Sequence, residues 1–161
     1  MRIAIASDSH DNLTAVSKLV EALKEENVEL LIHCGDFVSP FTLKKLLSEI
    51  PCDFTGVFGN NDGELLGLST VSGGLIEKPP VSKTIDGKRF VLMHEPLFVD
   101  SLAKSGDFDY VIYGHTHRID LRVINGCRII NPGELCGYLS GKSTFVILDT
   151  HQNAVEVRVL K

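Results

Sequence analysis

The sequence predicts one α/β domain over residues 1–161, with parallel strand pairing early in the chain and antiparallel pairing late. Three observations carry this. The first part alternates short apolar runs with stretches that are apolar at helical spacing. The second part holds apolar runs broken by Asp-Gly and Asn-Gly turns. No repeat, low-complexity segment or linker divides the chain, and 161 residues suffice for one full core.

Each element has its own reason. "RIAIAS" is apolar and bounded by polar residues, so it reads as a buried strand. In "NLTAVSKLVEALKEENV", Leu13, Val16, Leu19, Val20 and Leu23 share one helical face, and Asn12 is the expected N-cap. "ELLIHC" is the next strand. "SPFTLKKLLSEI" has Ser39 as cap and Pro40 in the first helical position, and "CDFTGVFG" is a third strand. This β-α-β-α-β order predicts parallel strands with right-handed crossovers. "PPVSKTIDGKRFVLMH" reads as a hairpin turning at Asp86-Gly87. A short helix around "FVDSLAKSG" leads to the strand "DYVIYG". "IDLRVINGCRIIN" turns at Asn125-Gly126, and "STFVILDTHQNAVEVRVL" turns near Gln152-Asn153.

Composition narrows the function. The chain is 43% hydrophobic and 23% charged, an ordinary globular balance rather than a disordered or membrane one. The net charge of −5 and the scattered basic residues disfavour extended nucleic-acid binding, which needs a basic face. Cys34, Cys52, Cys127 and Cys136 form no CxxC pair, so a zinc knuckle is not expected and reduced thiols in the cytoplasm are. "MRIAIAS" is too short for a signal h-region, and no run approaches the ~18 apolar residues of a membrane span.

The strand ends carry the chemistry. "IAIASDSH" finishes in Asp8 and His10, "LLIHCGD" in Asp36, "GVFGNND" in Asn60, Asn61 and Asp62, "FVLMH" in His94, and "YVIYGHTH" in His115 and His117. Ligands of open α/β sheets bind beyond the carboxyl ends of parallel strands. One such ending is an ordinary turn; five, all of metal-ligand type, point to one site. Asp8/His10 and His115/His117 are i, i+2 pairs, which in an extended segment face the same way. Asp8, His10, Asp36, Asn60, His94, His115 and His117 exceed what one four-coordinate zinc needs. They suit two Mn, Fe, Zn or Ni ions. Two dications about 3.5–4 Å apart repel by roughly 4–5 kcal/mol at an effective dielectric near 20, so a bridging carboxylate is expected, and Asp36 is the natural one. Two dications against two carboxylates and one hydroxide leave a positive site that attracts phosphate.

These residues resemble the calcineurin-like metallophosphoesterases, and within them the small single-domain phosphodiesterases of bacteria and archaea. The motifs are Asp8-Ser9-His10, Gly35-Asp36, Gly59-Asn60-Asn61-Asp62, His94 and Gly114-His115-Thr116-His117, in order along the whole chain. The resemblance implies a four-layer α/β/β/α sandwich of two mixed β-sheets flanked by helices. It implies that Asp8, His10, Asp36 and His117 hold one metal, and Asp36, Asn60, His94 and His115 the other. Manganese is the first expectation, with nickel, iron or zinc as the other choices. The implied reaction is phosphodiester hydrolysis by a metal-bridging hydroxide, with Asn60 and the metals stabilising charge on the equatorial oxygens. Asp62 is expected to orient His10 or a neighbour, with Asn61 shaping the loop.

Two departures stand out. Larger relatives often carry His where this chain has Asn61, so the leaving group loses that general acid. Many relatives have Gly after the His94 position, where this chain has Glu95-Pro96. Among the remaining residues, Asn131, Glu134 and Arg118 are candidate contacts for a small phosphodiester. His33 reads as packed, His151 as exposed and the cysteines as buried hydrophobes. The alternatives are a phosphomonoesterase, a nuclease, or an interaction scaffold on the same fold. Leu65, Leu66 and Leu68 read as exposed apolar residues that keep the scaffold or a homo-oligomer face open.

Overall fold

A computed structural model describes residues 1–161. The first five elements follow the expected order: β1 (Arg2–Ala6), α1 (Leu13–Glu25), β2 (Leu30–His33), α2 (Pro40–Glu49) and β3 (Asp53–Val57). Asn12 caps α1 by accepting the Ala15 N–H at 3.1 Å. Ser39 caps α2 through the Thr42 N–H, ahead of Pro40. Two further elements were not legible in the sequence: α3 (Leu65–Ser72) and β4 (Ile76–Glu77). Leu68 is fully buried by α3, which corrects its reading as exposed; Leu65 and Leu66 do face solvent.

β5 (Val81–Ile85) and β6 (Lys88–Leu92) form the expected hairpin. Asp86 and Gly87 both have positive φ (50° and 71°), as a two-residue turn requires. After α4 (Val99–Lys104) and β7 (Tyr110–Ile112) come the hairpins β8 (Ile119–Ile124) with β9 (Cys127–Pro132), and β10 (Thr144–Asp149) with β11 (Ala154–Val159). The second half is not wholly antiparallel: β6 pairs with β7, and β7 with β9, in parallel.

The strands make a six-stranded sheet, β11-β10-β1-β2-β3-β4, and a five-stranded sheet, β5-β6-β7-β9-β8. Strand alternation builds the layers. In β1, Ile3 and Ile5 face the second sheet, meeting Phe90, Leu92, Tyr110 and Ile112. Ala4 and Ala6 face outward, where their small side chains let α1 come close through Val16 and Leu19. On the far side, Val91, Val111 and Ile129 pack against Val99 and Ala103 of α4. The result is helices, sheet, sheet, helix, the four-layer sandwich expected. The carboxyl ends of β1, β2 and β3 from one sheet, and of β6 and β7 from the other, open on the same rim.

Candidate metal centre

All seven expected ligands converge on that rim. The Asp8 N–H donates to the Gly35 carbonyl at 3.0 Å, and Asp8 Oδ2 accepts the His115 N–H at 3.0 Å, so the two sheets are pinned at this residue. Asp8 Oδ1 and His10 Nε2 are buried and without partners. Asp8 Oδ1 lies 3.8 Å from His10 Nε2 and 3.4 Å from His117 Nε2. Asp36 Oδ2 lies 3.4 Å from both His10 Nε2 and His94 Nε2, midway between two groups of donors. In the second group, Asn60 Oδ1 is 2.8 Å from His94 Nε2 and 2.8 Å from His115 Nδ1.

The loops are shaped for this convergence. Asp8, His10, Asp36, His115 and His117 all have positive φ, between 40° and 66°. Non-glycine residues adopt this region rarely, and such strain gathers at functional sites. The i, i+2 pairs therefore share a site because their loops turn through left-handed residues, not because the segments are extended. Two glycines make room. A Cβ on Gly59 would stand 2.1 Å from Asp36 Oδ1, and one on Gly114 would stand 1.9 Å from Ser7 Oγ.

The neighbours of the ligands set their orientation. Asp62 is buried and accepts the N–H groups of Asp36 (3.1 Å), Val38 (2.7 Å) and Gly59 (2.7 Å). It clamps the backbone that carries Asp36, so of the two choices expected for it, His10 or a neighbour, the structure has it holding the neighbour. Burial raises its pKa even against those bonds. Asn61 grips Asp36 twice, through its N–H to Oδ1 and its Nδ2 to Oδ2, both 2.8 Å. Burial acts to raise the Asp36 pKa, but His94 and Asn61 override it and hold the carboxylate well below its usual range. Burial likewise opposes a charged His94, and the Asp36 carboxylate outweighs it, raising the His94 pKa. The Asp8 carboxylate does the same for His10.

His94 Nδ1 bonds the Cys34 carbonyl at 2.6 Å, which leaves Nε2 aimed at Asp36 and Asn60. His117 Nδ1 bonds Glu134 Oε2 at 2.7 Å, which leaves Nε2 aimed at Asp8. A carboxylate behind a ligating histidine fixes its tautomer and raises its basicity.

Asn131 and Glu134 are fully buried, so neither faces a substrate. Asn131 Nδ2 donates to the Gly114 carbonyl at 2.8 Å and to Thr116 Oγ1 at 3.0 Å, holding the histidine loop. Glu134 also accepts the N–H groups of Leu139 and Ser140 and the thiol of Cys136. Burial works to raise its pKa, but these donors, His117 foremost, bring it down to about 2. Their positions, Asn131 near the end of β9 and Glu134 just after it, gave no sign of this role in sequence. Arg118 is exposed beside His117 and makes no ion pair within the chain. His33 is buried and stacked on Phe37 at 4.0 Å, as a packed residue, and His151 is exposed.

The residues fit divalent ions. Asp8, His10 and His117 come close enough together to hold an ion, as do Asp8, Asp36 and His94, and two buried donor atoms lack any partner in the protein. His117, Glu134 and Cys136 also cluster. That cluster is no third site, because His117 Nδ1 is bonded to Glu134 and burial pushes the Cys136 thiol up to about 12.

Comparison with known proteins agrees with this geometry. Residues 1–153 match the calcineurin-like phosphoesterase superfamily domain. A phosphodiesterase of Methanocaldococcus jannaschii is 39% identical, with all of both chains covered. The solved structure of an archaeal phosphodiesterase superposes with a TM-score of 0.92 at 39% identity, covering 99% of this chain and 100% of that one. Vacuolar protein sorting 29 of Cryptosporidium parvum shares the fold, with a TM-score of 0.71 at 19% identity over 98% of this chain and 95% of its own. The chain thus belongs to the calcineurin-like phosphoesterase superfamily.

Proposed function

We propose that this protein is a dinuclear metal-dependent phosphodiesterase acting on small diesters in the cytoplasm. The observation that carries the proposal is the Asp36 carboxylate. It is buried, anionic and 3.4 Å from a histidine nitrogen on either side, where a ligand shared by two cations belongs. Asp8, His10, Asp36 and His117 would hold one ion, and Asp36, Asn60, His94 and His115 the other, with manganese the first candidate. When bound, two such ions supply a water of lowered pKa as nucleophile and positive charge against the phosphoryl oxygens.

The chain's own residues do the positioning. Asp62 and Asn61 fix Asp36 before any ligand arrives, so little reorganisation is needed. The Cys34 carbonyl and Glu134 keep His94 and His117 in the tautomers that leave Nε2 free. Arg118, exposed beside His117 and unpaired, would meet a phosphate oxygen. Asn61 has no acidic proton to give a leaving group, and its amide is bonded to Asp36. The site therefore suits diesters with good leaving groups. The net charge of −5 favours a small diester over a long nucleic acid. No helix is long and apolar enough to cross a membrane, and all four cysteines are free.

The test is hydrolysis of an aryl phosphodiester by chelator-stripped protein titrated with Mn²⁺, with Asp36→Asn as control. Turnover that needs the metal and Asp36 supports the proposal. Well-folded protein that is inert with every divalent metal refutes it and favours the scaffold.

A further inference from the structure

A cleft of about 500 Å³ opens directly beside the metal centre, and Asn60 and His94 line both. Its walls are otherwise mainly apolar: Phe58 at the end of β3, Leu65 at the start of α3, the buried Met93, and Leu97 after β6. Only two side chains bring full charge to it outside the ligand set, Lys78 and Glu95, both exposed at the rim and not paired with each other. A concave apolar pocket of this size with a few polar groups is the usual form of a small-molecule subsite.

From this we infer that the cleft receives one ester arm of the substrate, and that the arm is a flat, uncharged aromatic group. The inference rests on the phosphodiesterase reading of the adjoining site. A phosphoryl group held between Asn60 and His94 projects one of its substituents into the space those residues border. The apolar walls favour burial of a ring over a polar chain. Lys78 and Glu95 at the mouth offset one another, so the rim adds no net positive charge to draw in an arm that carries a second phosphate. Half-exposed Leu65 and Leu97 line the cleft from different elements, α3 and the loop after β6, and both offer apolar surface to a ring.

The test uses two phosphonates with stable carbon–phosphorus bonds, naphthylmethylphosphonate and methylphosphonate, as inhibitors of aryl-diester hydrolysis by the metal-loaded enzyme. The naphthyl compound should inhibit about 30-fold more tightly, the ratio expected for burying roughly 80 Å² more apolar surface at about 25 cal/mol/Å². Leu65→Ser with Leu97→Ser should bring the ratio close to one. Val159→Ser, an equally exposed apolar residue on β11, should leave it unchanged. The chain has only two methionines, so a ¹³C label on the Met93 methyl reports occupancy directly. It should shift with the naphthyl compound and not with the methyl one. Equal inhibition, or a ratio insensitive to the double variant, would overturn the subsite. So would a Met93 signal that moves only with protein concentration, since a second copy would then fill the cleft. If the enzyme hydrolyses nothing, the phosphodiesterase reading fails on its own, and the Met93 titration still decides whether the cleft takes the ring.

Discussion

Glu134→Gln tests whether a residue with no access to substrate governs the metal centre. The carboxylate gathers four donors: His117 Nδ1, the N–H groups of Leu139 and Ser140, and the Cys136 thiol. An amide of the same shape keeps one acceptor oxygen and adds two N–H donors. If the oxygen stays with His117, the amide nitrogen faces the N–H groups of Leu139 and Ser140, and the reverse arrangement faces it toward His117. Either way, one or two buried donors lose their partner, at about 1–3 kcal/mol each. A total near 3 kcal/mol lowers the melting temperature of a chain of this length by roughly 6–12 °C. Metal affinity should also fall by about 10–100-fold, because His117 loses the anion that fixes its tautomer. Thermal melts of chelator-stripped protein read the first effect, and Mn²⁺ competition against a calibrated chelator reads the second. A melt that drops while metal affinity stays at wild type would refute the role assigned to Glu134, leaving it a brace for the 134–140 loop alone.

Three further outcomes follow from the geometry. Gly59→Ala puts a methyl 2.1 Å from Asp36 Oδ1, so Mn²⁺-dependent turnover should drop by at least about 100-fold; near-normal activity would show that Asp36 has another productive position. Asn61→His should raise turnover of poor leaving groups relative to good ones by at least about tenfold, read as a flatter dependence of rate on leaving-group pKa, and an unchanged slope would exclude a role for this position in protonation. Burial pulls the His33 pKa from the ordinary 6.5 down to about 3, so the unfolded chain takes up a proton there that the folded chain refuses. Stability contributed by neutral His33 is therefore lost as pH falls from about 6.5 toward 3, while Glu134 adds its own loss only below about 4.5. Between pH 6.5 and 4.5, His33→Leu should flatten the fall by about 1.4 kcal/mol per pH unit in denaturant titrations, and an identical slope would show His33 reaches water.

The residues that were legible in sequence are those whose signal is local. Asn12, Ser39 and Pro40 announce helix starts, and Asp86-Gly87 and Asn125-Gly126 announce turns, because the chemistry of each lies within four residues. The convergence of the candidate ligands was legible because apolar strands end in them. α3 was not: its Gly, Ser and Thr are weak helix formers, and burial of Leu68 against the core decides its shape. The β6–β7–β9 pairing was hidden because parallel partners are distant in sequence. Asn131 and Glu134 were placed near the site but misjudged in role. A polar residue in a turn looks the same whether it faces a substrate or a buried amide, and only the fold supplies the amides.

The site draws three of its ligand-bearing loops from one sheet and two from the other, meeting where Asp8 accepts the His115 N–H. Ions bound there would bridge the two halves of the sandwich. Parting the sheets would then require releasing the ions first, so metal loading should slow global unfolding far more than it alters the local motions of either sheet. Amide exchange in β2 and β7, on opposite sides of the seam, should become protected together as metal is added. The candidate metal centre would in that way double as the clasp that sets the lifetime of the folded molecule.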